Sequence, residues 1–142
     1  MNPVIHFEMP YDDRSRVAAF YRSAFGWKFE MLGPEVGDYA LATTHEPALA
    51  REPKFDGPPP TWINGGFFQR KPDWPGQQPL VVIAVESMTA AIARVASVGG
   101  NVLGEPMDIP GIGKYVAFTD TEGNHVCMLE PIMPTPAKGT AS

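Results

Sequence analysis

Little in this chain can cross-link it, and nothing in it seeks a polyanion. Cys127 is the single cysteine in 142 residues, so an internal disulfide is excluded and a reducing compartment is expected. Eleven Lys and Arg stand against 16 Asp and Glu, a net charge of −5. That balance excludes the basic stripe a nucleic-acid surface needs. No apolar run approaches the ~18–20 residues required to span a bilayer, so no membrane partner is expected. The opening residues MNPVIHFE lack a basic stretch followed by an apolar one. No secretory leader is expected, and the cytoplasm is the expected compartment. Only three histidines are present, which keeps the supply of metal donors short.

What is plentiful is apolar residues, proline and glycine. Apolar residues make up 44% of the chain, enough to give one domain a core. That domain is expected over residues 1–130. The stretch from Val4 to Phe29 sets its pattern. Val4, His6 and Glu8 alternate with Ile5, Phe7 and Met9, the period of a strand with one buried face. Asp12 and Asp13 suit a helix N-cap. Val17, Phe20, Tyr21 and Ala24 recur at helical spacing, predicting a stripe laid on the sheet. Gly26 supplies the C-cap and Trp27 restarts a strand.

The same order returns at Leu80. LVVIAVES reads as a strand with Val81, Ile83 and Val85 on one face. Ser87 is the N-cap, and Met88, Ala91, Ile92 and Val95 form the helical stripe before Gly99-Gly100. Helices are predicted near 13–25 and 87–98. Two strand–helix–Gly–strand units, each followed by further strand-like runs, make an internal duplication. Module one covers 3–70 and module two 80–130.

Strands are predicted at WKFEML, at DYALAT from Asp38 to Thr43, and from Trp62 to Arg70. Gly65-Gly66 in the last of these marks a bulge or a close approach to the backbone. Thr44 to Pro60 is proline-rich and without period, the character of a binding or partner loop. His45, within it, is expected to be solvated. Later strands are predicted at Asn101–Glu105, around MDI, at Lys114–Thr119 and at His125–Glu130, with a hairpin at Asp120–Asn124. Residues 131–142 read as a loose tail.

The segments HFEMPYDD leading into AAFYRSAFGW, VVIAVES, GGNVLGEP and AFTDTEGNHVCMLE together resemble the vicinal-oxygen-chelate superfamily. That superfamily includes glyoxalase I, bleomycin- and fosfomycin-resistance proteins and extradiol dioxygenases. The resemblance implies an α+β fold: two βαβββ modules forming an open barrel of eight strands, helices outside, around a concave ligand cup.

Metal-dependent members of that superfamily draw ligands from the first strand of each module and from later strands. Carried over, those positions fall on His6, Leu80 and Cys127, with the last on the strand of Gly65-Gly66, where Asn64 and Gln69 are the nearest polar groups. Glu130 falls on the face opposite Cys127. A divalent ion needs about three protein donors, and one conventional ligand remains. No metal cofactor is therefore expected. The alternative is one zinc held by His6, His125 and Cys127.

Candidate wall residues for a small organic ligand are His6, Glu8, Trp62, Asn64, Phe68, Tyr115, His125 and Cys127. Three functions compete. The first is metal-free binding of a small molecule in the cup. The second is a metal-dependent lyase, isomerase or oxygenase of glyoxalase or dioxygenase type. The third is an interaction module. A homodimer using residues 44–60 is the expected assembly.

Overall fold

The structure, a computed structural model, describes residues 1–45 and 62–132. The tail and most of the proline-rich loop lie outside those residues. The described chain forms two compact units, one built on Val4–Val82, the other from Ile83 onward with Met1–Pro3.

In the first unit, β1 (Val4–Tyr11) leads into α1 (Arg14–Phe25), β2 (Lys28–Met31), a 3-10 turn (Pro34–Val36), β3 (Ala40–Thr43) and β4 (Gly65–Gln69). The strand order is β2-β3-β4-β1, with β1 parallel to β4 and the other pairs antiparallel. A parallel neighbour for β1 is what a crossover through a helix permits. Asp13 caps α1 by accepting from the Arg16 N–H at 2.9 Å. Gly26 ends it at φ 71, a left-handed position that costs glycine nothing.

The period of two in β1 sorts its side chains. Phe7, Met9 and Tyr11 join Ala40, Ala42, Phe67, Val17, Tyr21, Trp27 and Phe29 in one cluster against α1. His6 and Glu8 therefore lie on the face turned away from the helix. The stripe predicted for α1 needs correction. Val17 and Tyr21 pack on the sheet, but Phe20 is 59% exposed and Ala24 is exposed too. Ala18, fully buried, takes the central contact. A methyl group lets α1 approach closely, and Phe20 is turned outward to lie edge-on to Tyr21, centroids 5.0 Å apart.

The second module contains β5 (Leu80–Ala84), α2 (Met88–Ser97), β6 (Asn101–Ile109), β7 (Gly113–Thr119) and β8 (His125–Pro131), in the order β5-β8-β7-β6. Val85, Met88, Ala91, Val116, Phe118 and Met128 form its core, with Ile83, Ile92, Val95, Val102 and Val126 packed against them. Ile83 and Val85 point inward as expected. Val81 does not, being 38% exposed, whereas Val82 on the opposite face is buried.

Two predicted runs fuse into one strand, β6, whose register shifts between Leu103 and Met107. Gly104, at φ 82, absorbs the irregularity. The β7–β8 hairpin closes on Asp120. Its carboxylate accepts from the Glu122 and Asn124 N–H groups and the Asn124 amide, and these bonds hold the carboxyl below its ordinary range.

Helix α2 is capped twice. Ser87 Oγ accepts from the Ala90 N–H at 3.2 Å, and Glu130 Oε2 accepts from the Met88 N–H at 2.7 Å. Glu130 thus serves the helix face, opposite Cys127, as its position in the strand requires. Among the described residues, no helix is long and apolar enough to cross a membrane.

Candidate functional site

Module one presents a polar and aromatic face on the side of its sheet away from α1. Because β1 and β4 run parallel with Glu8 opposite Gly66 and Pro10 opposite Phe68, Glu8, Gly66 and Phe68 share that face with His6. Leu41, opposite Gly66 on β3, shares it too.

The residue that completes this face is Tyr39, which sequence reasoning treated only as part of a strand. Its hydroxyl lies 2.9 Å from His6 Nε2, and the two rings stack at 6.5 Å and 19°. A fixed backbone delivers it. Asp38, just before it, adopts φ 54, the one left-handed non-glycine among the described residues, a conformation that aspartate tolerates better than most residues. The Asp38 carbonyl accepts from the Tyr11 hydroxyl at 2.6 Å and from Arg14 Nη1 at 3.0 Å. Arg14 also donates to the Leu32 carbonyl at 2.7 Å. The last residue of β1 and the first of α1 therefore clamp the corner from which Tyr39 projects.

The glycine pair owes its existence to two rings. A Cβ on Gly65 would lie 2.5 Å from the Phe7 ring, and one on Gly66 would collide with the ring and hydroxyl of Tyr39. Of the two readings for Gly65-Gly66, the structure selects close approach. Phe7 covers the helix side and Tyr39 the other.

Burial lowers the His6 pKa, so the imidazole is neutral near pH 7. It can either accept the Tyr39 proton or donate its own, according to tautomer. Burial also raises the Tyr11 pKa, an effect the Arg14 charge opposes and Asp38 adds to.

Asn64 Oδ1 accepts from the Thr44 N–H at 2.8 Å and lies 3.2 Å from its hydroxyl, which donates to the Ile63 carbonyl at 2.7 Å. That amide holds the end of β3 in place. Trp62 meets His45 edge-on, centroids 5.9 Å apart. His45 is half-buried rather than solvated, and its Nδ1 is buried without a hydrogen-bond partner among the described residues. Packing against an indole removes it from water.

In module two, Tyr115 and Cys127 share the face away from α2. The Tyr115 hydroxyl donates to Cys127 Sγ at 2.7 Å, and the thiol is buried. His125 stands at the other end of that hairpin, opposite Thr119.

Leu80 offers no lone pair, and His6 and Cys127 are each engaged by a tyrosine hydroxyl. Glu130 is spent on α2. Among the described residues, no three of His, Cys, Asp and Glu gather closely enough to hold a metal.

A family model described as a glyoxalase-like domain matches residues 6–129. A glyoxylase-like domain-containing protein of Didymella fabae is 30% identical over 118 residues, 82% of this chain and 84% of that one. CFP32 of Mycobacterium bovis is 37% identical over 51 residues, 36% of this chain but only 20% of CFP32. The methylmalonyl-CoA epimerase of Mycobacterium tuberculosis has the same fold. Its structure superposes with a TM-score of 0.64 at 13% identity, over 92% of this chain and 88% of that one.

Proposed function

Since this chain belongs to the glyoxalase-like domain family, we propose that it binds a small, partly apolar organic ligand without a metal ion. The binding surface is the module-one face carrying His6, Glu8, Tyr39 and Phe68. The observation that carries this reading is the chemistry of that face. A neutral imidazole and a phenol are hydrogen-bonded to each other on the face that also carries the half-buried Phe68 ring, with Leu80 apolar and Cys127 engaged by Tyr115. Small-molecule sites are built in this way, from apolar walls with a few placed polar groups. A divalent ion would find too few free donors to compete with water.

The ligand class follows from the same groups. His6 is neutral near pH 7, so its pair with the Tyr39 hydroxyl favours an uncharged hydroxyl, carbonyl or amide on the ligand. Phe68 and Leu41 offer apolar contact alongside.

The test is a thermal-shift screen of small aromatic and polar metabolite-like compounds in buffer containing EDTA. A ligand present at ~100 times its Kd adds about 2.7 kcal/mol to native stability, a readily measured rise in Tm. Stabilisation is expected to persist under chelation and to vanish in His6→Ala and Phe68→Ala. Stabilisation that appears only when zinc or another divalent ion is restored would defeat the proposal.

The same reading includes assembly as a homodimer, tested by sedimentation. Twice the chain mass of 15.5 kDa is expected at ~10 µM, where an interface of standard size is populated. A 15.5 kDa species at that concentration would remove the dimer and leave the binding face untouched.

A further inference from the structure

Position 66 and His6 converge on one point, and a tyrosine occupies it. A side chain at 66 would project onto the His6 face, beside Glu8. The Tyr39 hydroxyl fills the space that its Cβ would enter and also lies 2.9 Å from His6 Nε2. An ion bound at His6 Nε2 would have to displace this hydroxyl. The backbone that carries the tyrosine is fixed on both sides. It is set by Asp38, whose carbonyl is held by both Tyr11 and Arg14, and the Tyr39 carbonyl accepts from the Leu32 N–H at 2.8 Å.

We propose that Tyr39 is the specificity-determining residue that closes module one to divalent metal, its hydroxyl taking an ion's place as the partner of His6. Gly66 is then the complement of Tyr39. It is glycine so that the phenol can lie on the strand. The inference rests on the metal-free reading of the site and supplies its residue-level cause. It makes a reciprocal statement: removing the phenol and placing a carboxylate at 66 should open His6 Nε2 to a divalent ion.

The experiment uses zinc alone as probe, titrated into wild-type protein and into Tyr39→Ala/Gly66→Glu, with the His6 imidazole followed by NMR. Circular dichroism melts check that each protein is folded. In the wild type, zinc is expected to leave the His6 resonances unmoved. In the double variant it is expected to bind at least ~10-fold more tightly and to lose that gain when His6→Ala is added. Zinc binding through His6 in the wild type, or a folded double variant that binds no better, would overturn the proposal.

A second arm covers failure of the double variant to fold. Gly66→Ala should lower Tm in the wild-type background and have little effect in Tyr39→Ala, because the clash is with the phenol. Equal losses in both backgrounds would show that Tyr39 does not occupy the position. Organic-ligand binding in EDTA is read separately. If it survives while wild-type His6 binds zinc, the role of Tyr39 falls and the binding proposal stands.

Discussion

The two modules share an order of elements but fill their cores and faces differently. Module one packs α1 with rings: Tyr21 stacks on Trp27 at 4.6 Å and lies 5.3 Å from Phe67, which is 5.7 Å from Phe29. Alanines at 40 and 42 make room for them on β3. Module two packs α2 with valines, methionines and one phenylalanine, and ties the helix down with a carboxylate from β8 as well as with Ser87. On the faces away from the helices the contrast repeats. The first carries an imidazole–phenol pair over a glycine floor; the second carries a buried thiol under a tyrosine. One repeated βαβββ plan therefore tolerates distinct cores, and the chemistry is placed by the strand residues that alternate away from them.

The contrast can be broken most severely at Phe67. Phe67→Ala removes the ring at the centre of the module-one cluster and should cost about 3–5 kcal/mol. Met128→Ala, its counterpart in module two, should cost about 2–5 kcal/mol; a flexible, unbranched side chain leaves surroundings that collapse more readily. Urea melts of both variants would decide. An effect at Met128 clearly larger than at Phe67 would contradict the reading of an aromatic keystone.

Next in size come the polar ties. Glu130→Ala removes the carboxylate that caps α2 and should cost about 0.5–2 kcal/mol, as should Asp13→Ala for α1. The module-two helix retains Ser87, so Ser87→Ala/Glu130→Ala is expected to cost more than either single change. A double variant no worse than one of the singles would show that the two caps do not act on separate N–H groups.

Tyr11→Phe tests the corner that delivers Tyr39. It should cost about 1 kcal/mol for the lost hydrogen bond and weaken ligand binding although Tyr11 faces the helix. Unchanged binding with the expected loss of stability would place the corner outside the site.

The smallest expected effect is on pH dependence. Burial lowers the His6 pKa in the native state, so below ~6.5, the ordinary histidine value, the unfolded chain takes up a proton that the native protein resists. Stability should therefore fall as pH drops from ~6.5 toward the lowered native value and level off beneath it. His6→Gln should flatten that slope. A slope that persists undiminished in the variant would assign it to another group.

Much of this was legible in sequence, because it depends on neighbours along the chain. Asp13, Ser87 and Gly26 announce the helix ends through local hydrogen bonding and backbone freedom. The period of two assigns His6 and Glu8 to one face and Phe7 and Met9 to the other. What was not legible depends on register. Tyr39 and His6 lie 33 residues apart and meet only because of how β3, β4 and β1 align. That alignment also decides that Gly66 is a floor rather than a bulge. That the Asn64 side-chain oxygen meets Thr44 likewise depends on how β3 and β4 align, 20 residues apart. Phe20 misled because helical spacing alone does not choose between two adjacent stripes, and the buried one is centred on Ala18. The one available signal for Tyr39 was Gly65-Gly66 itself: two glycines in a strand ask which rings cover them.

The proposed function turns on whether His6 pairs with a phenol or with a metal. Elemental analysis of protein purified without chelator or histidine tag, alongside His6→Ala and Cys127→Ala, tests it most directly. Sub-stoichiometric metal, unchanged by either substitution, is the expected result. Near one zinc per chain in the wild type, lost in both variants, would contradict it.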